Sequence, residues 1–277
     1  MTLESATTLN DHLLQSYGDA LDLDLLHRLA AQRELSGLFV PAVSDSYLRS
    51  RVRVMIVGRE TSGWGTLRTD LDAPGRAGSI EAYLAHQMDK HQRMVAKVGA
   101  ASKFFQFYRQ TARQVAAPED RLAGNAPVWS NLFCFDEGRS RPDRRHDDST
   151  KEIVRLSGAL LRIQIEVLRP AWIVFATGSS CDRYLKQHFG DRFDSKVHIP
   201  KRIWEFKLPL ADDGGNAAQA VAFRTPHPRH TASNPARAAI VAEALRPGAL
   251  AAYIASTGPA DGVTVPCANI DSRSSAA

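Results

Sequence analysis

The chain has 277 residues, 44% hydrophobic and 23% charged, the make-up of an ordinary globular protein with enough material for a buried core. A net charge of +5 and an isoelectric point near 9.2 suit a polyanionic partner without requiring one. Three scattered cysteines, Cys134, Cys181 and Cys267, exclude a disulfide framework and a four-cysteine metal or cluster site, and no apolar stretch has the length of a bilayer span.

The opening residues, MTLESATTLNDHLL, contain neither a basic leader nor an apolar core, so the expected setting is the reducing cytoplasm, away from membranes. Residues 10–39 read as one or two amphipathic helices broken near Gly18, with Leu13, Leu14, Leu21, Leu23, Leu25, Leu26 and Leu29 covering a sheet face. Residues 41–50 read as a linker. The expected organisation is an N-terminal helical segment packed on the core (1–50), an α/β domain (51–255) and a disordered Gly/Ser/Asp/Pro tail (256–277).

Residues 52–65, VRVMIVGRETSGWG, open the domain. The dense apolar half predicts a strand buried on both faces, and the second half turns at once to glycine and polar groups. Ligands in open α/β sheets bind just past the carboxyl ends of strands, so this loop is the expected floor of a site. Ser79 is placed to cap a helix through Val98, and residues 103–115 form a second helix carrying Phe104, Phe105, Phe107 and Tyr108. Those rings read chiefly as core.

Residues 127–136, PVWSNLFCFD, predict a second buried strand with Asn131 in its middle. A buried amide must find partners; it serves a ligand or bonds local backbone, and the sequence favours neither. Residues 138–148, GRSRPDRRHDD, form a loop with Arg139, Arg141, Arg144 and Arg145, either a phosphate-contacting element or a solvated face. Ser149 and Glu152 fit a capping box for a helix to Leu168, and AWIVFAT (171–177) predicts a third strand ending at Gly178, Ser179 and Ser180. A helix over 181–189 follows. Lys201 and Arg202 sit near a short strand in residues 196–204, and a turn over 212–216 leads to a fourth strand, 217–225. That strand runs into Pro226, His227, Pro228, Arg229 and His230, after which Asn234 caps a helix with Pro235 at its first position. His227 and His230 lack a third ligand of suitable spacing, so no metal is expected.

Four apolar runs alternating with helices predict an α/β fold: a three-layer α/β/α domain with a mostly parallel four-stranded central sheet. In one sheet, Glu60, Asn131, the Gly178–Ser180 turn and His227 would meet at a common rim. A carboxylate, an amide and an imidazole there make a catalytic set.

VGRETSGWG after the first strand and TPHPRH after the last resemble the two signature motifs of the uracil-DNA glycosylase superfamily. That family also places an Asn on a middle strand and a strand ending in Gly between them, matched in order by Asn131 and WIVFATG. The resemblance spans residues 52–230. It implies that family's fold, DNA as partner, a monomer, no cofactor, and excision of a flipped pyrimidine-type base in DNA repair or anti-phage defence. Under it, Glu60 positions and activates water, His227 stabilises the leaving base or the cationic sugar, and Asn131 hydrogen-bonds the base. Gly58, Arg59, Thr61, Ser62, Trp64 and Gly178 complete the pocket; Trp64, Phe104 or Phe105 stacks on the base. Residues 229–234 enter the DNA, and Arg139, Arg141, Arg144, Arg145, Lys201, Arg202, Arg229 and His230 contact it. Thr61 stands where the family usually has Pro, Arg229 where it has Ser, and no tyrosine follows the first motif, which points from uracil towards a damaged or modified base.

The chemistry agrees: cleaving an N-glycosidic bond builds positive charge on the sugar and negative charge on the base, which a carboxylate and a donor would stabilise. Extruding a base costs a few kcal/mol, to be offset by contacts to the DNA. The same residues also fit a catalytically inactive nucleic-acid-binding module, or a nucleoside or nucleotide hydrolase.

Overall fold

The structure, a computed structural model, describes residues 5–75, 78–97, 102–120, 124–190, 194–210 and 218–257. The expected 212–216 turn and all but the first two residues of the expected tail lie outside them. Two helices come first, α1 (Ala6–Ala20) and α2 (Leu23–Gln32), then a short α3 (Asp45–Leu48). The break falls at Leu21 and Asp22, where the Asp22 side chain accepts from the Asp24 N–H to cap α2. Gly18 lies inside α1. Residues 33–39, expected to be helical, are extended: Ser36 N–H bonds the Asp136 carbonyl and Phe39 N–H the Cys134 carbonyl.

The strands are β1 (Val54–Gly58), β2 (Val128–Asn131), β3 (Trp172–Phe175), β4 (Ser195–Ile199), β5 (Ile203–Leu210) and β6 (Ala218–Arg224). They make one six-stranded mixed sheet in the order β2-β1-β3-β6-β5-β4. The expected four-stranded sheet is therefore too small. The four apolar runs pair in parallel, and β5 and β4 add an antiparallel hairpin beyond β6. β5, IWEFKLPL, buries alternate residues along much of its length, the signature of a strand with one solvated face rather than a fully buried run. Its turn carries Lys201, at φ +57°.

Helices α4 (Leu67–Leu71), α5 (Ile80–Lys97), α6 (Lys103–Val115), α7 (Asp148–Leu168), α8 (Asp182–Phe189), α9 (Asn234–Leu245) and α10 (Ala249–Thr257) complete the chain. They divide between the sheet faces. Met55, Val57, Ile173 and Phe175 point into a core shared with α1, α2, α5, α7 and α8, while Val54, Ile56, Val174 and Phe223 point into one shared with α6, α9 and α10. The N-terminal helices thus belong to the same core as the sheet. Ser79 caps α5 through Ala82 N–H, as its position predicts. The cap of α7 is Asp147 rather than Ser149; its Oδ1 accepts from Thr150 N–H at 2.8 Å. Ser233, not Asn234, holds the position before α9, leaving the Asn234 amide for another partner.

Candidate active site at the carboxyl rim of the sheet

Strand register sets the site. Gly58 pairs with Asn131 and Phe175 with Arg224, so the parallel strands end together and release residues 59, 132, 176 and 225 at one rim. Asn131 is the last residue of β2 rather than its middle. Its Oδ1 accepts from Trp129 Nε1 at 3.3 Å, while its Nδ2 is buried without a protein partner. The amide lies over Gly58: a Cβ there would overlap Asn131 Oδ1 and stand 3.2 Å from the Phe104 ring. Gly58→Ala is therefore expected to displace the amide and lower stability by about 1–3 kcal/mol, measured by urea denaturation.

The next residues face different ways. Glu60 is half-buried and its Oε2 has no hydrogen-bond partner; Arg59 Nε stands 3.8 Å away, a loose pair. Burial raises the Glu60 pKa above its ordinary value, Asp136 adds to this, and Arg59, Arg141 and Arg229 oppose it. Those cations, from three separate loops, all act on one carboxylate. Thr61 is buried, and its hydroxyl donates to Asp136 Oδ2 at 2.6 Å. Asp136 also accepts from Gly63 N–H and Arg139 N–H, so it clamps residues 61–63 to the loop that carries Arg139. Gly63 and Gly65 take φ near +86° and +87°, a conformation glycine adopts without a Cβ penalty. Ser62 is exposed.

Trp64 is not at the rim. It is buried between Phe39 and Trp129, donates from Nε1 to Gln87 Oε1 at 3.0 Å, and carries Lys90 Nζ 4.9 Å above its ring. The two glycines flanking it let the backbone turn the indole inward. Of the three candidate stacking rings, Phe104 is the one that stands against Gly58; Phe105 packs edge-on to Trp129 at 5.0 Å.

Across the rim, Gly178 (φ +80°) brings the turn after β3 close to His227, with room for a Cβ only 3.7 Å from His227 N. Thr177 Oγ1 there is buried and unpartnered. His227 Nδ1 accepts from Arg229 N–H at 3.2 Å, so the neutral ring carries its proton on Nε2. Burial, then Arg59, Arg229 and Arg237, pull its pKa down to about 4.

The basic residues separate into two groups. Arg139, Arg144, Lys201, Arg202 and Arg229 are exposed. Arg141 is pinned to Asp143 at 3.1 Å and reaches Cys181 Sγ at 3.4 Å, while Asp143 also holds Tyr184 and Arg183. Arg145 pairs with Glu137 at 3.3 Å, and His230 Nδ1 meets Ser233 Oγ at 3.0 Å. A cavity of about 810 Å³ lies on the outer side of the 59–66 loop, between Arg33, Gly63, Arg68 and Arg139, rather than above the strand ends. Asp136 and Arg237 were not singled out for the site from sequence. The one trace of Arg237 was its place in an acid-free run, residues 214–242, since burial is a tertiary property.

Among the described residues, no group of three His, Cys, Asp or Glu side chains could hold a metal, and no helix is long and apolar enough to cross a membrane. Comparison with models of protein families, curated proteins and solved structures returned no match, which leaves the site's own geometry to argue its chemistry.

Burial also lowers the pKa of His91 and His188 to about 4. Their rings bind protons in the unfolded chain below about pH 6.5 but not in the folded one until near pH 4, so stability is lost as pH falls through that window. With both rings nearly inaccessible, the loss should approach 2–3 kcal/mol per pH unit at its steepest, about 1.4 for each ring. Urea midpoints at pH 7.5, 6 and 5 measure it; an unchanged midpoint would mean that neither ring stays neutral in the folded chain.

Proposed function

We propose that this chain is a DNA glycosylase of the uracil-DNA glycosylase type, hydrolysing the N-glycosidic bond of a flipped, damaged or modified pyrimidine-type base. The observation that carries this reading is the convergence of Glu60, Asn131 and His227 at one rim, from the ends of β1, β2 and β6, with Glu60 Oε2 and Asn131 Nδ2 both unpartnered. A bound substrate would satisfy those atoms.

The roles follow from charge and tautomer. His227, neutral and protonated on Nε2, donates to a base carbonyl oxygen as negative charge develops on the leaving base. Ionised Glu60 stabilises the cationic sugar and takes a proton from the water that attacks C1′. The base departs as an anion that solvent protonates, leaving an abasic site. Asn131 offers its Nδ2 donors to the base edge, and the Phe104 ring beside Gly58 offers a stacking face. Arg229 and Arg141 are near enough to act on Glu60, and exposed Arg139, Arg144, Lys201 and Arg202 supply phosphate contacts. Thr61, clamped by Asp136, and Trp64, turned into the core, leave no bulky side chain on the 61–65 wall, which suits a substituted base. The reading places a monomer without cofactor on DNA in the cytoplasm, in repair or anti-phage defence.

Mass spectrometry of bases freed from a panel of natural and modified DNAs tests it, with abasic sites revealed by strand breakage in alkali. Release of one base class supports the reading, and silence across the panel ends it. Release from free nucleotides instead would define a nucleotide hydrolase; salt-sensitive binding without release would define a binding module.

A further inference from the structure

Arg237 lies in the first turn of α9 and is only 1% exposed. No carboxylate among the described residues forms an ion pair with it, and burial alone lowers its pKa to about 10. Two features of this placement oppose stability. A buried cation without a counter-ion has lost its hydration, and a positive charge at a helix N-terminus faces the positive end of the helix dipole.

Its hydrogen bonds explain what the placement does. Nη1 donates to the Pro226 carbonyl at 2.8 Å; Nη2 donates to the His230 carbonyl at 3.1 Å and to Asn234 Oδ1. The two carbonyls bracket His227 and Arg229. The bracketed segment closes on itself through His230 N–H to the His227 carbonyl at 2.8 Å, and through Arg229 N–H to His227 Nδ1. The guanidinium sits 5.8 Å from the Phe107 ring centroid, on the side of the α6 core. A planar fork of donors matches two divergent carbonyls and an amide in a way a lysine ammonium does not.

We propose that Arg237 is the positioning residue of the His227 loop: its fork fixes the loop so that the imidazole keeps Nδ1 as acceptor and presents Nε2–H to the strand ends, and its charge opposes a second proton on the ring. As a role in base release, this rests on the glycosylase reading; as a statement about the imidazole, it does not. The charges acting on that ring are Arg59 from the loop after β1, Arg229 from its own loop and Arg237 from α9. Burial is the largest cause of the low pKa, followed by Arg59, Arg229 and Arg237 in that order, so Arg237 acts on the ring chiefly through the fork that fixes its loop and only secondarily through its charge.

The test is NMR titration of the His227 ring in the full chain without substrate, assigned by His227→Gln. ¹³C shifts report the midpoint and ¹⁵N shifts the tautomer. Arg237→Gln removes both the fork and the charge and is expected to mix the two tautomers and to raise the His227 midpoint slightly, burial and Arg59 keeping most of the depression. Arg237→Lys keeps the charge and loses the fork, so the midpoint stays low while the tautomers mix. An unchanged midpoint and an unchanged Nε2–H tautomer in folded Arg237→Gln overturn the proposal. If that variant does not fold, an unchanged tautomer in Arg237→Lys overturns it instead. Because the free protein is titrated, failure here is separate from failure to release any base.

Discussion

If the proposed glycosylase reading holds, Glu60→Gln is expected to cut base release by about a hundred- to ten-thousand-fold while leaving the fold and the affinity for DNA in place. The carboxylate makes no hydrogen bond that the fold depends on: Oε2 is unpartnered and the nearest cation, Arg59 Nε, is 3.8 Å away. The amide is isosteric, so the loop clamped by Asp136 keeps its shape. On that reading, what disappears is the negative charge opposite a cationic sugar and the base that takes the proton from water. Binding should hold or tighten, since a carboxylate among Arg59, Arg141 and Arg229 repels phosphate. As pH falls, Glu60 takes up its proton earlier than an ordinary glutamate, whereas His227 stays neutral to about pH 4; the acid limb of the rate therefore belongs to Glu60. Single-turnover base release and salt-dependent binding, measured together, check this. Wild-type rates in Glu60→Gln would remove the carboxylate from the mechanism.

The second large effect lies away from the rim. Arg33→Met is expected to cost about 3–5 kcal/mol of stability. The Arg33 side chain is wholly buried, bonds Glu137 through Nε and Nη2, and donates to the Pro142 carbonyl at 2.6 Å and Thr150 Oγ1 at 2.8 Å. It fastens the end of α2, the loop after Glu137 and the first turn of α7 to one guanidinium. Removing it leaves a largely buried Glu137 without its main partner; Arg33 is the first cause of that carboxylate's lowered pKa. Arg145 pairs with the same Glu137 at 3.3 Å, but its side chain is 55% exposed, so Arg145→Ala should cost under about 1 kcal/mol. Urea melts of the two variants decide the matter, and equal losses would contradict the argument. Hydrogen exchange should rise in residues 137–147 of Arg33→Met alone, loosening the arginine loop without touching its exposed cations.

The strands bearing the candidate site were legible because each is a short apolar run followed at once by glycine or a polar group. The hairpin of β4 and β5 was only half legible. Its residues alternate with Lys, Glu and His, and half-solvated strands lack the dense signal of buried ones. Residues 33–39 misled for a different reason. The leucine pattern of residues 13–29 suggested that the helix ran on to Phe39, yet the segment is extended because its backbone bonds residues 134 and 136, about a hundred positions away. Trp64 misled likewise: a Trp between two glycines in a site loop reads as a ligand contact, but Gln87 and the Phe39–Trp129 cluster hold it inside.

By itself the sequence determined the α/β class, the four apolar runs that become strands, and the chain order of Glu60, Asn131 and His227 at or just past their ends. These depend on local composition and period. Only the tertiary structure decided the two added strands, that Gly58 and Asn131 touch, that Phe104 rather than Trp64 stands beside them, and that Arg237 is buried behind His227. Each of these is a contact between residues far apart in the chain, set by strand register and helix packing. Neighbours along the chain specify a residue's conformation, but the partner of an unpaired amide or a buried cation is chosen by the closed fold.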